Sequence, residues 1–215
     1  QDRTQRDWTA DYRLYSEDRF DEDRLFGQVR SEIEQLSAAP DAPLIAAMDD
    51  SLLRKTGRKS HGSRYQRDPL SPPFHVNFVR GLRVLQISAA VRQGSEGAAR
   101  LIPIDFQHAA LPAKPRKDAS AEAHAAYEAE RAKKNINLIG RDRLAHLRQE
   151  MDRSGSAQRP LIVTLDGRFT NATVLRNIPE RTTLIGRVRK DSVFHLAPAA
   201  QPERGRKRKY GERCP

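Results

Sequence analysis

The sequence predicts a mixed α/β fold, and three observations carry that prediction. Two short apolar runs, LIAAMDD at 44–50 and LIVTLDG at 161–167, have the aliphatic density of strands covered on both faces. Two further runs, at 74–91 and 99–107, alternate as strands do, and a stretch from 118 to 151 carries helical spacing. Strands grouped ahead of a helix, then strand and helix in turn, give a mixed sheet with helices on its faces.

Taken in order, residues 1–40 read as a helical head. Trp8, Tyr12 and Tyr15 form one stripe; Asp21 is a natural N-cap for a second helix with Leu25, Val29, Ile33 and Leu36 down one side. AAPDAP at 38–43 is a loop. After the first strand, the segment SLLRKTGRKSHGSRYQRDPLSPP at 51–73, with Gly57, Gly62 and three prolines, reads as an exposed loop. The strand at 74–91, a turn at Gly94–Gly97 and the strand at 99–107 form a hairpin. The helix at 118–151 is rich in alanine and glutamate first, then striped by Ile136, Ile139, Leu144, Leu147 and Met151. SGSAQRP ends it, and the strand at 161–165 follows. A short helix spans 170–177, Pro179 stops it, and TTLIGRVR at 182–189 is the fifth strand. The sequence order is β-β-β-α-β-α-β behind a helical segment. Residues 41–197 form the core domain, and 198–215 a basic tail.

A chain of 215 residues supports one sizeable core. Its net charge of +11 is uneven: residues 1–50 hold 6 basic and 13 acidic side chains, residues 204–215 hold 6 and 1. A basic body and tail point to a polyanionic partner, nucleic acid first. No stretch is apolar enough to span a bilayer and no signal-peptide core is present. The single cysteine, Cys214, excludes an internal disulfide framework and a cysteine metal site, so the expected setting is the cytoplasm. The chain opens on Gln1 and closes in a charged run, so it reads as part of a longer protein.

The chemistry concentrates in the two strands that end on acids. Asp166 with Gly167 is by itself a good turn pair. If the two strands are neighbours, however, Asp49 or Asp50 meets Asp166 at one edge of the sheet. Carboxylates so placed raise one another's pKa unless a cation neutralises them. Mg2+ or Mn2+ suits an all-oxygen set, and two such ions about 4 Å apart promote phosphodiester cleavage.

With the strand order and the two acids in place, the chain resembles the RNase H-like catalytic core. AMDDSLLRKTGRK, the 75–91 strand and LIVTLDGRFTN are similar to DDE transposases of bacterial insertion sequences. The resemblance implies a DNA endonuclease that cuts and rejoins transposon ends with three acids and two divalent metals, as a homodimer on paired ends at the nucleoid. It implies that the first acid follows an Asp-x-Ser/Thr pattern, which gives Asp49, with Asp50 as the alternative, and that the second is Asp166. The third, a glutamate on a helix packed against the sheet, has no match: Glu203 and Glu212 lie in the Pro/Gly/Arg-rich tail. A catalytically inactive, transposase-derived DNA-binding protein is therefore the rival expectation. A haloacid-dehalogenase-type phosphatase is set aside, because Thr164-Leu165-Asp166-Gly167 lacks that family's first aspartate.

Candidate DNA contacts are Arg54, Lys55, Arg58 and Lys59 after the first acid, Arg168 beside the second, and Arg206, Lys207, Arg208 and Lys209 in the tail. His61, His75 and His108 lack ligand spacing and read as surface or packing histidines. Asp105 reads as a turn residue or an acid at the fringe of the site.

Overall fold

The computed structural model describes residues 21–36, 42–57, 60, 62–72, 74–92, 97–200 and 205–214. The stripe of Trp8, Tyr12 and Tyr15, and the candidates Arg58, Lys59, His61 and Glu203, lie outside them. The elements are helix α1 (Glu22–Gln35), strands β1 (Leu44–Arg54), β2 (Arg64–Arg67), β3 (Phe78–Val91) and β4 (Arg100–His108), helices α2 (Ala121–Lys133) and α3 (Ile136–Arg153), strand β5 (Leu161–Leu165), helix α4 (Ala172–Leu175) and strand β6 (Thr182–Gly186).

All six strands form one mixed sheet. β1, β5 and β6 run parallel as neighbours, and β3 pairs antiparallel with the other side of β1. The far flank of β3 is shared: β2 takes its beginning, residues 78–81, and β4 the remainder, with a bulge between Ile87 and Ser88. The chain reaches β5 from β4 by a long crossover past β3 and β1, and α2 and α3 supply it.

Several expectations are corrected. The segment 51–73 is not all loop: β1 continues to Arg54 because β3 pairs with it as far as Gly81, and Arg64–Arg67 then adds β2. Reading it as loop weighed glycine and proline over the polar but strand-compatible RYQR. The helix expected over 118–151 is two helices broken at Lys134–Asn135, where Asn135 caps α3 by accepting the N–H of Asn137. Leu25 and Leu36, expected in the buried stripe of α1, are exposed; Ile33 is buried and Val29 packs against the core.

The core lies between one face of the sheet and α3. Leu44, Ala46 and Met48 of β1, Leu85, Ile87 and Ala89 of β3, and Leu161, Val163 and Leu165 of β5 meet Leu144, Leu147 and Met151. The start of β1 and all of β5 bury every second residue, so these runs are covered on one face, not on both as their aliphatic density suggested. Two buried arginines join elements by binding carbonyls. Arg30 of α1 donates to the Ile104 carbonyl (3.0 Å) and pairs with Glu150 of α3. Arg148 of α3 donates to the carbonyls of Arg159 (2.8 Å) and Ser156 (3.1 Å), which fixes the entry to β5. Asp105 is neither a turn residue nor an acid at the fringe of the site. It lies in β4, buried, and binds Arg143 of α3 with both carboxylate oxygens.

Past β6, residues 194–197 turn back against 211–214. The Leu196 N–H donates to the Glu212 carbonyl (2.8 Å), the Cys214 N–H donates to the Phe194 carbonyl (2.8 Å), and His195 bridges Arg213. Among the described residues no helix is long and apolar enough to cross a membrane.

Candidate active site

The register of β1 on β5 runs from Leu44–Leu161 to Met48–Leu165 and stops there. The two apolar strands are thus neighbours that run the same way, and their acids emerge at the same edge. Asp166 is the first residue beyond the β5 pairing. Asp49 and Asp50 are not at the end of their strand, because β3 carries β1 on to Arg54; they sit where its pairing with β5 stops.

Strand alternation separates Asp49 from Asp50. Asp50 has the parity of Leu44, Ala46 and Met48, the side covered by α3, and stands across from buried Leu85. Asp49 points to the opposite side, across from Gln86, is exposed, and accepts the N–H of Asp50 (2.8 Å).

Asp50 is flanked by two guanidinium groups. Arg83 Nη1 lies 2.8 Å from Oδ2, and Arg168 Nε lies 3.3 Å from Oδ1. Burial raises its pKa above the ordinary carboxylate value; Arg168 and Arg83 oppose that rise, and the negative charges of Asp49 and Asp166 add to it. Asp49 and Asp166 are both close enough to oppose the charge of Asp50, and the two arginines offset part of that opposition. Arg83 is lowered chiefly by burial, while Asp50 raises it and Arg168 lowers it further. Its Nε also donates to Gln66 Oε1 (2.9 Å), which holds the guanidinium flat between β2 and β1.

Asp166 takes up its turn role as well. Its Oδ1 accepts the N–H groups of Arg168 (2.9 Å) and Phe169 (3.3 Å), and its carbonyl accepts the Thr170 hydroxyl (2.9 Å). Phe169, fully buried, anchors this turn against α3. The approach needs Gly140, since a Cβ there would stand 3.0 Å from the Phe169 ring. Gly186 of β6 likewise leaves room for Thr170. The LDGRF turn is therefore clamped from both sides, and the orientation of Asp166 is set before any ligand arrives.

The remaining candidates scatter. Arg54 is committed to Asp68, whose carboxylate is buried 2.7 Å away. Lys55 is exposed beside it. Arg206, Lys207, Arg208 and Lys209 are exposed in the tail, with Lys209 Nζ 5.5 Å from the centre of the Tyr210 ring. Glu212 is exposed there too, on no helix. His75 is exposed, and His108 ends β4 with its ring against Gly62. Sequence reading missed Arg83 and Gln66. The available signal was Arg83 set between aliphatic residues in the strand segment LRVL, which calls for a counter-charge if it is buried.

As a metal site the edge fits in kind. Asp49, Asp50 and Asp166 offer hard oxygen donors, and a divalent cation would relieve the repulsion that Asp49 and Asp166 exert on Asp50. Among the described residues no group of three or more acidic, histidine or cysteine side chains has the geometry to hold a metal ion. A family model described as DDE superfamily endonuclease matches residues 4–215. No curated protein and no solved structure matches the chain.

Proposed function

The chain belongs to the DDE superfamily endonucleases, a family acting on DNA with divalent metals, and we propose that Asp50 and Asp166 are two acids of a transposase active site. The reaction is phosphodiester hydrolysis followed by strand transfer at DNA ends. One observation carries the reading: two acids on adjacent parallel strands reach one edge, close enough for the charge of Asp166 to act on Asp50. The strand order, with β1, β5 and β6 parallel and β3 antiparallel, supports an RNase H-like core.

Asp50 is preferred over Asp49 because it faces the covered side, where charge is least screened. Asp166 presents a carboxylate already oriented by two backbone N–H groups. When bound, Mg2+ or Mn2+ supplies the Lewis acidity that opens a phosphodiester to attack. Arg83 and Arg168 hold Asp50 in place and keep its charge from repelling the incoming phosphate.

The test is Mn2+-dependent nicking of supercoiled plasmid by the protein and by Asp166→Asn. Loss of nicking in the variant, with an unchanged circular dichroism spectrum, supports the reading; undiminished nicking overturns it. One observation favours the rival, a DNA-binding derivative without nuclease activity: the two arginines already neutralise Asp50. That reading expects tight DNA binding without nicking, and no Mn2+ binding by electron paramagnetic resonance.

A further inference from the structure

Next to Asp50 lies a recess of about 250 Å3, between the β2–β3 ladder, the α2–α3 junction and the LDGRF turn. Gln66, Arg83, Arg131, Lys134, Asn135 and Arg168 supply its polar lining, and Ala109, Leu111 and Ile136 its apolar wall. Four cations converge there and no carboxylate lines it. We propose that this recess is a phosphate subsite, which receives a backbone phosphodiester of the nucleic-acid strand next to the one that is cut. The inference rests on reading Asp50 and Asp166 as the acids of the nuclease, and it names residues on that side of the site that hold the substrate.

Charge is the first argument. Arg83 and Arg168 share one carboxylate, Asp50, from opposite oxygens. Asp50 is the one carboxylate both contact, and neither Asp49 nor Asp166 lines the recess, so on that side the cations face no further acid. Arg83 is nearly buried, at 12% exposure, so its charge acts where solvent screens little. Arg131 and Lys134 add to the field from the rim. Their partners, Glu128 and Glu130, lie one helical turn back on α2, and exposed pairs of this kind yield readily to a phosphate.

Geometry is the second argument. Arg83 is held by Gln66, so its planar donors are fixed in advance, as recognition of a phosphate requires. The start of the 18-residue helix α3 opens onto the same recess at Asn135 and Ile136, which adds its positive end to the cations. Size narrows the ligand class, since organic ligands occupy roughly 300–1,000 Å3. A smaller, open, cationic recess suits a phosphate and part of its sugar. The direct contact of its two deepest arginines with Asp50 places that phosphate beside the acid edge.

The experiment is calorimetric titration of the full chain in EDTA, so that no strand is cut, with inorganic phosphate in one arm and the dinucleotide dTpdT in the other. Arg83→Gln and Lys134→Gln are each expected to weaken dTpdT binding by roughly tenfold, the loss of one charge-assisted hydrogen bond. Lys134 is partly exposed, so its variant keeps the test valid if Arg83→Gln unfolds. Arg189→Gln, an exposed arginine paired with Asp191, is the control and keeps wild-type affinity. Wild-type affinity in Lys134→Gln and in folded Arg83→Gln overturns the inference, as does binding of inorganic phosphate without binding of dTpdT. Asp166 does not line the recess, so Asp166→Asn keeps its affinity for dTpdT. If Asp166→Asn abolishes nicking while the recess variants bind as wild type, the subsite falls and the nuclease stands. If Asp166→Asn nicks normally while Lys134→Gln loses dTpdT, the nuclease falls and the subsite stands.

Discussion

Replacing Arg83 with methionine tests whether Asp50 is held as a charged group. The two side chains are 12% and 11% exposed and meet at 2.8 Å. Removing one partner of a buried ion pair costs about 3–5 kcal/mol, because the other charge is left without compensation. Arg168 remains 3.3 Å from Asp50, so the lower end applies. At a urea m-value of about 2 kcal/mol/M, a loss of about 3 kcal/mol lowers the midpoint by roughly 1.5 M near neutral pH. The sign of the pH dependence follows from linkage. Burial, with help from Asp49 and Asp166, raises the folded pKa of Asp50 above 3.8, so the native state holds that proton more tightly than the unfolded chain. Asp50 therefore lowers stability as pH climbs from 3.8 through its folded value, and the deficit persists above it. Removing Arg83 removes an influence that lowers the folded pKa, so this window extends upward. The penalty is largest at neutral pH and shrinks in acid, once Asp50 is protonated. Urea unfolding followed by circular dichroism near pH 7 and near pH 4 reads it directly. Asp50→Asn/Arg83→Met should regain most of the neutral-pH loss, and its stability relative to wild type should rise from pH 4 to pH 7, because the group that weakens wild type over that range is gone. An Arg83→Met penalty of equal size at the two pH values refutes the reasoning.

Two further substitutions probe the supports of the site. Arg143→Met strands the Asp105 carboxylate, 2% exposed in β4, and should cost about 3–5 kcal/mol in urea unfolding; Asp105→Leu/Arg143→Met should recover much of it. Phe169→Ala empties a fully buried position against Gly140, and should cost about 3–5 kcal/mol. The same change should speed hydrogen exchange at the Arg168 amide, since the Asp166 turn loses its anchor.

How far the sequence was legible depended on what each signal was about. The apolar runs at 44–48 and 161–165 reported burial, and burial is what made them neighbouring strands with their acids at one edge. The stripe Leu144, Leu147 and Met151 identified α3 for the same reason. Where structure depends on pairing, the local sequence was silent. RYQR has no apolar face, and it is a strand because the start of β3 offers an edge to it. The break at Asn135 carries no glycine or proline; it is set by capping, which shows only when the helix start is known. The choice between Asp49 and Asp50 is parity along a strand whose end lies four residues further than composition indicated.

Parity also explains why two arginines gather at Asp50. Asp50 faces the covered side, so its charge has to be met by protein groups, and the residues within reach are those on the neighbouring strand and turn. β3 provides Arg83 on the same face, two residues from Leu85, which stands directly across from Asp50. The LDGRF turn provides Arg168, two residues after Asp166, and the N–H that orients Asp166 belongs to that same arginine. The two acids are therefore coupled through one residue: a movement of the turn that displaces Asp166 also withdraws a cation from Asp50. A divalent cation that took over the role of Arg168 would leave its guanidinium facing the recess, where a phosphate is the natural partner. Were a metal and a phosphate both to bind, they would draw on this one side chain, and that sharing would couple the two.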